Sequence, residues 1–185
     1  MTKDRLPPMD PAQMTPAQQA AAQAVIASPR GALYGPFVPL LRSPELMDHV
    51  QRLGEYLRYR SALGTRLSEL AILITARHWD QQVEWAIHAP IAAQAGISAE
   101  MIDDLAHARR PSAMSDEESA VYDFSRELNR NKGVSDPAYA RALALFGEHG
   151  VVDLMAINGY YTLLAMVMNA AQTAAPGSPL PRRTA

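Results

Sequence analysis

The chain has 185 residues, with 17 basic against 19 acidic side chains, a formal charge of −2, and 48% hydrophobic residues. That length builds one domain with a proper core and is short for two. The balanced charge, with no basic stretch beyond Arg182-Arg183, gives nucleic acid no footing, and the absence of any cysteine excludes peroxidatic thiols, CxxC redox pairs and thiolate metal sites.

The opening MTKDRLPPMDPAQM lacks the apolar run of a signal peptide, which predicts a cytoplasmic protein. Residues 1–14 carry several prolines and few large apolar groups, the composition of a flexible arm that orders only against a partner. Thr15-Pro16 then supplies an N-cap and a first-position proline for a helix to about Ala27. In residues 31–41, GALYGPFVPLL, two glycines and two prolines exclude regular helix. An aromatic loop of that kind either lines a pocket, with Tyr34 the candidate lining residue, or packs over the core. Ser43-Pro44-Glu45 restarts a helix to about Tyr59, with Leu46, Val50, Leu53 and Leu57 at helical spacing. Arg42, Arg52, Arg58 and Arg60 flank it, and most of them are expected to be solvated.

Thr65 is placed to cap a helix from Arg66 to about Ala76. Its Leu67, Leu70, Ile72, Leu73 and Ile74 are too many for one stripe, so the helix is expected to be buried, Glu69 with it. Asp80 starts the next helix. Pro90 inside it predicts a bend just past His88, and Gly96 closes it. Ser98 caps a short helix to Ala108, and Ser115-Asp116-Glu117-Glu118 is a capping box for a helix reaching Asn129. Ser135-Asp136-Pro137 opens another to about His149, and Gly150 leads into VVDLMAINGYYTLLAMVMNAA. This last segment is about the length of a membrane span, but Asp153, Asn158, Gly159 and Asn169 interrupt it. It is expected to be a helix apolar nearly all round, buried in the core or between subunits. Residues 174–185 are proline-rich and expected to be disordered. No strand pattern, phosphate loop or repeat occurs. The fold class is all-α: a single-domain bundle of about seven or eight helices over residues 15–173.

The chemistry concentrates between Leu67 and Gly96. Glu84 and His88, four apart, share one helix face about 6 Å apart along the axis. Gln81, three residues before Glu84, is on that face too. A carboxylate beside an imidazole is the minimum apparatus for moving a proton near neutral pH. On an exposed face such a pair is worth only about a few tenths of a kcal/mol. Here Trp79, Trp85, Ile87 and Ile91 surround it, and buried ionisable groups need a reason. His49 and His107 read as surface residues, and His149 sits where a helix C-terminus favours a cation. His78, beside Trp79 at the joint between the two helices, either faces the same cavity as His88 or stands outside it. Glu69, His78, Glu84 and His88 would together suit iron, manganese or zinc. The Glu-x-x-His repeat of di-iron bundles is missing and a single helix pair contributes, so no metal is expected.

RLSELAILITARHWDQQVEWAIHAPIAAQAGIS, with GPFVPLLRSPEL before it and FGEHGVVDLMAINGYYTLLAMVMNA after it, resembles the carboxymuconolactone decarboxylase family, which also contains the alkylhydroperoxidase D proteins. The resemblance covers most of residues 31–169: a buried Glu, a site helix, and a His nineteen residues after that Glu. It implies that Glu69 stands at the relay glutamate and His88 at the histidine. Gln81 and Glu84 fall where the peroxidase branch has its two cysteines, which rules out a disulfide cycle. The decarboxylase branch, which uses neither thiols nor a cofactor, survives the comparison.

The resemblance therefore implies a cofactor-independent carboxy-lyase or related proton-transfer enzyme acting on a small lactone or cyclic carboxylic acid, of the kind met in aromatic catabolism. Under it, His88 delivers a proton, Glu84 orients and charges the ring, and Glu69 is a second relay. His78, Trp79 and Arg77 would position the substrate carboxylate. A lactone hydrolase or isomerase, or a small-ligand-binding or assembly homologue without catalysis, are the alternatives. A homo-oligomer, trimer or hexamer, is implied, with a small-molecule substrate and neither nucleic acid nor membrane as partner.

Overall fold

Most helix ends sit where short-range hydrogen bonding puts them. In the computed structural model, which describes residues 4–177, 180 and 181, a single 3-10 turn (Pro11–Gln13) precedes α1 (Pro16–Ala27), α2 (Phe37–Leu40), α3 (Pro44–Tyr59), α4 (Gly64–His78), α5 (Gln82–Gln94), α6 (Ala99–Ala106), α7 (Asp116–Asn131) and α8 (Asp136–Ala171). No strand forms among the described residues. Thr15 with Gln18 and Ser115 with Glu118 make reciprocal capping boxes, and Ser98 accepts from the Met101 N–H.

Four local expectations are corrected. The segment 31–41 does contain a helical turn, α2; Pro39 is tolerated there because the first four N–H groups of a helix have no internal partner anyway. Helix α4 begins at Gly64, whose φ of 70° suits glycine, so Thr65 lies inside the first turn instead of capping it. Asp80 adopts φ 49° ahead of α5, and Gln81 is the cap, its Oε1 accepting from the Val83 N–H at 2.7 Å. Helix α8 is two helices joined at Gly147, with φ 63° and ψ 178°, three residues before the expected break. Those angles are open to glycine alone. Gly150 serves close packing instead, since an added Cβ would collide with Phe146 and touch Leu63.

Helix α4 is the central element, packed against α5, α7 and α8, and every residue from Leu67 to Arg77 is buried. A polar network holds three of these helices in register. Asn158 accepts from Thr75 Oγ1 at 3.0 Å and from Asn129 Nδ2 at 2.8 Å, and donates to Ser125 Oγ at 3.0 Å. The last apolar segment is less enclosed than expected. Val151, Leu154, Ile157, Tyr161, Leu164 and Met168 enter the core, while Val152, Met155, Leu163 and Met166 are exposed. By length and composition this helix could cross a membrane, and 56% of its most apolar window is buried inside the bundle.

Over the described residues both termini are tied to the chain's own body. The Arg5 N–H donates to the Ala171 carbonyl, and the Arg42 guanidinium to those of Leu6 and Pro7. At the other end Leu180 is buried, exchanges hydrogen bonds with Gln82, and is followed by Pro181, whose carbonyl accepts from Arg77. Prolines lack N–H donors but keep carbonyl acceptors, and these arginines satisfy them. Residues 1–3, 178–179 and 182–185 of the expected arm and tail lie outside the described residues.

Candidate active site

The short joint from Trp79 to Gln81 folds α5 back onto α4 and brings three ionisable groups together. His88 Nδ1 lies 2.7 Å from Glu69 Oε2, and His88 Nε2 lies 3.3 Å from Glu84 Oε2. All three side chains are buried, at 2–3% residue exposure. The Tyr161 ring meets the imidazole edge to face, with centroids 5.1 Å apart. Burial alone would favour the neutral ring, but the charges and hydrogen bonds of Glu69 and Glu84 outweigh it and raise the His88 pKa above its ordinary value.

The two carboxylates differ in what else they face. Glu69 stands behind the ring and does not line the adjoining hollow; Glu84 and His88 do. Among the described residues Glu84 Oε1 is buried with no hydrogen-bond partner, and so is the Nε of Arg58, which lines the same hollow. Arg30, Tyr34, Phe37, Tyr160 and Tyr161 complete the enclosure around a cavity of about 20 Å³, room for one water molecule. Burial pushes both Tyr160 and Tyr161 above the usual phenol range, so their hydroxyls stay protonated.

Tyr34, Glu84 and His88 therefore line one hollow, with Glu69 directly behind the ring. Arg77, His78 and Trp79 do not join them. Arg77 and His78 line a separate cleft, and the Trp79 indole N–H donates to Thr162 Oγ1 at 3.1 Å. Gln81 is spent on capping α5 and on a 2.7 Å bond to Asn169. With His78 elsewhere, the four-residue ligand set considered for a metal is not assembled, and no group of three or more His, Asp or Glu among the described residues is arranged to hold one.

The sequence missed Arg30, Arg58 and the two tyrosines. Proximity along the chain favoured Arg77, whereas Arg58 arrives from α3 and Arg30 from the turn after α1. One signal was available. Gly54 and Arg58 are four apart on α3, and the missing Cβ of Gly54 makes the room that Tyr160 Oη and the Arg30 guanidinium occupy.

Residues 44–127, which hold Glu69, Glu84 and His88, match the profile of the carboxymuconolactone decarboxylase family. The match covers a little under half of the chain and makes this segment similar to that family. No curated protein sequence matches the chain. Among solved structures, ATU0492 from Agrobacterium tumefaciens, a protein of unknown function suggested to be the antioxidant defence protein AhpD, superposes with a TM-score of 0.67 at 18% identity, over 75% of this chain and 95% of its own. The debrominase Bmp8 in its apo form reaches 0.75 at 12% identity, over 96% and 95%. A cysteine-to-alanine variant of Bmp8 in complex with 2,3,4-tribromopyrrole also reaches 0.75, at 11% identity. At these identities the likeness is one of fold, the AhpD-like helical architecture.

Proposed function

We propose that the chain is a cofactor-independent proton-transfer enzyme, a decarboxylase or close relative, acting on a small cyclic carboxylic acid or lactone. The observation that carries this is a buried imidazole clamped between two carboxylates, one of which keeps an oxygen without a partner among the described residues in a hollow that Arg58, whose Nε is likewise unpartnered, also lines. Buried polar atoms without partners are uncommon, and two in one hollow suit a ligand that supplies both.

In this proposal the short Glu69 contact orients His88 and keeps it charged, while the longer Glu84 contact is the one that opens. Arg58, with Arg30 beside it, receives the anionic end of the substrate. As the carbon–carboxylate bond breaks, carbon dioxide leaves and the electron pair passes into the conjugated ring carbonyl. The resulting enolate is stabilised by the guanidinium and by the Tyr160 and Tyr161 hydroxyls. A proton held between His88 Nε2 and Glu84 is then delivered to carbon, and solvent reprotonates the pair. This differs from the division of labour expected from sequence, in which Glu84 oriented and charged the ring and Glu69 was the second relay. A ring-sized substrate requires the Tyr34–Phe37 segment to give way, because the cavity as it stands admits one water.

The match of residues 44–127 to the carboxymuconolactone decarboxylase profile supports the decarboxylase form, and the halogenated pyrrole held by the structurally similar debrominase supports a small planar ring as the substrate. The exposed stripe of Val152, Met155, Leu163 and Met166 supports self-association of the chain. The test is a panel of small carboxylated lactones and ring carboxylates assayed for carbon dioxide release and for deuterium uptake from heavy water. The proposal expects at least one to turn over, with about a hundredfold or greater loss in Glu84→Gln and His88→Gln. Unchanged turnover in both variants would remove it.

A further inference from the structure

A second recess lies on another face of α4. Ile74, Arg77 and His78 form one stripe roughly a third of a turn around the helix from Glu69, and they face Leu105 of α6, Ala108 and Arg109 just after it, and Tyr122, Arg126, Asn129 and Arg130 of α7. The cleft measures about 450 Å³ and shares no lining residue with the His88 hollow. That size falls within the ordinary range for a small-molecule site.

Its charge is one-sided. Four arginines and a histidine line it, with no aspartate or glutamate in the wall. The acids nearby are already paired, three of them with arginines of the cleft itself. Asp103 and Asp104 hold Arg109 from outside, and Asp80 holds Arg77. Asp123 pairs with Arg110 and Arg141, and Glu127 accepts from Ser135. Arg126 donates to the Tyr122 hydroxyl at 2.6 Å and lies 5.8 Å from its ring centroid, and neither it nor Arg130 forms an ion pair among the described residues. Gathering like charges in a concave surface costs free energy unless a counter-charge arrives, and guanidinium forks match the planar or tetrahedral oxygens of carboxylate or phosphate. Ile74, Leu105, Ala108 and the face of Tyr122 supply an apolar floor beside the cations.

We propose that this cleft is a binding site for a small organic dianion, carboxylate or phosphate, whose charged head lies between Arg126 and Arg130 and whose apolar body lies on Ile74, Leu105 and Tyr122. It stands independently of the chemistry at His88.

The test is titration calorimetry on the full chain with phenyl phosphate, with phthalate, and with benzyl alcohol as the neutral control. At least one dianion should bind with one-to-one stoichiometry, and the tighter of the two identifies the head group. The Arg126→Gln/Arg130→Gln double variant should weaken that binding about tenfold or more, and the Arg126→Lys/Arg130→Lys variant should recover part of the loss. His88→Gln should bind as the parent does. No dianion binding, equal binding of benzyl alcohol, an unaffected glutamine double variant, or loss of binding in His88→Gln would each overturn the proposal. Thermal unfolding midpoints of the variants within a few degrees of the parent show that the fold is intact, and the lysine variant keeps the charge if the glutamine variant does not fold.

Discussion

Helix α4 stands between two recesses that hold similar residue types under opposite conditions. Behind the first it places Glu69, whose partner His88 and second neighbour Glu84 are all buried around about 20 Å³ of space. Into the second it turns Arg77 and His78, in a cleft of about 450 Å³ whose Arg109 and Arg130 are exposed. Water screens Arg109 and Arg130 in the second, while the first has room for one molecule. Charge–charge contacts in the hollow therefore hold their strength, and removing one member leaves an uncompensated buried charge. In the cleft the same kind of deletion removes little folding energy and shows itself in ligand binding instead.

The largest effect is expected from His88→Ala, which leaves Glu69 and Glu84 buried without the cation between them. Urea unfolding should show a loss of about 3–5 kcal/mol, and a loss under about 1 kcal/mol would mean that water reaches the carboxylates. Next comes Asn158→Ala, which strips partners from Thr75, Ser125 and Asn129 and so removes the network behind the cleft; about 2–3 kcal/mol is expected by the same measurement. Gly54→Ala follows, because the added Cβ overlaps Tyr160 Oη and presses on Arg30. It should cost about 1–3 kcal/mol and lower turnover of any substrate by moving the rim of the hollow, while leaving dianion binding in the cleft untouched. The smallest is Arg130→Gln, expected to change stability by no more than about 0.5 kcal/mol. An effect of that size at His88, or an effect of several kcal/mol at Arg130, would break the contrast.

The contrast extends to pH. His88 takes up its proton more readily in the folded chain than at its ordinary value of 6.5, so its contribution to stability is full below pH 6.5 and is lost as pH rises through the higher folded value. Thermal midpoints followed upward from pH 6.5 should fall more in the parent than in His88→Gln. Equal falls would remove His88 as the cause.

What was legible in the sequence follows the range of the interaction. Thr15, Ser98 and Ser115 declare their helices because a cap needs only residues within one turn, and Glu84 with His88 is visible for the same reason. The burial of α4 was legible because its apolar residues circle the helix. Glu69 as a relay at the site came from the family resemblance, since nothing local pairs residues on two different helices; that it is the closer partner of His88 is seen only in the structure. Arg58 looked like one of several solvated arginines on α3, and only the packing of Tyr160 into the notch at Gly54 shows that it faces the hollow. The break in α8 went to Gly147 and not Gly150 because both glycines permit a turn, and contact with Leu63 and Phe146 decides which is spent on packing. The cleft was invisible, because α4, α6 and α7 contribute to it residues far apart in the chain.

The central claim is that His88 is held as an imidazolium between two buried carboxylates. Nitrogen-15 NMR of the histidine side chains, followed against pH in the parent and in Glu69→Gln, reads this directly. The expected result is a ring that keeps both N–H protons above pH 6.5 in the parent and loses one at lower pH in the variant. A His88 ring that titrates at or below 6.5 in the parent, or one indifferent to Glu69→Gln, would contradict it.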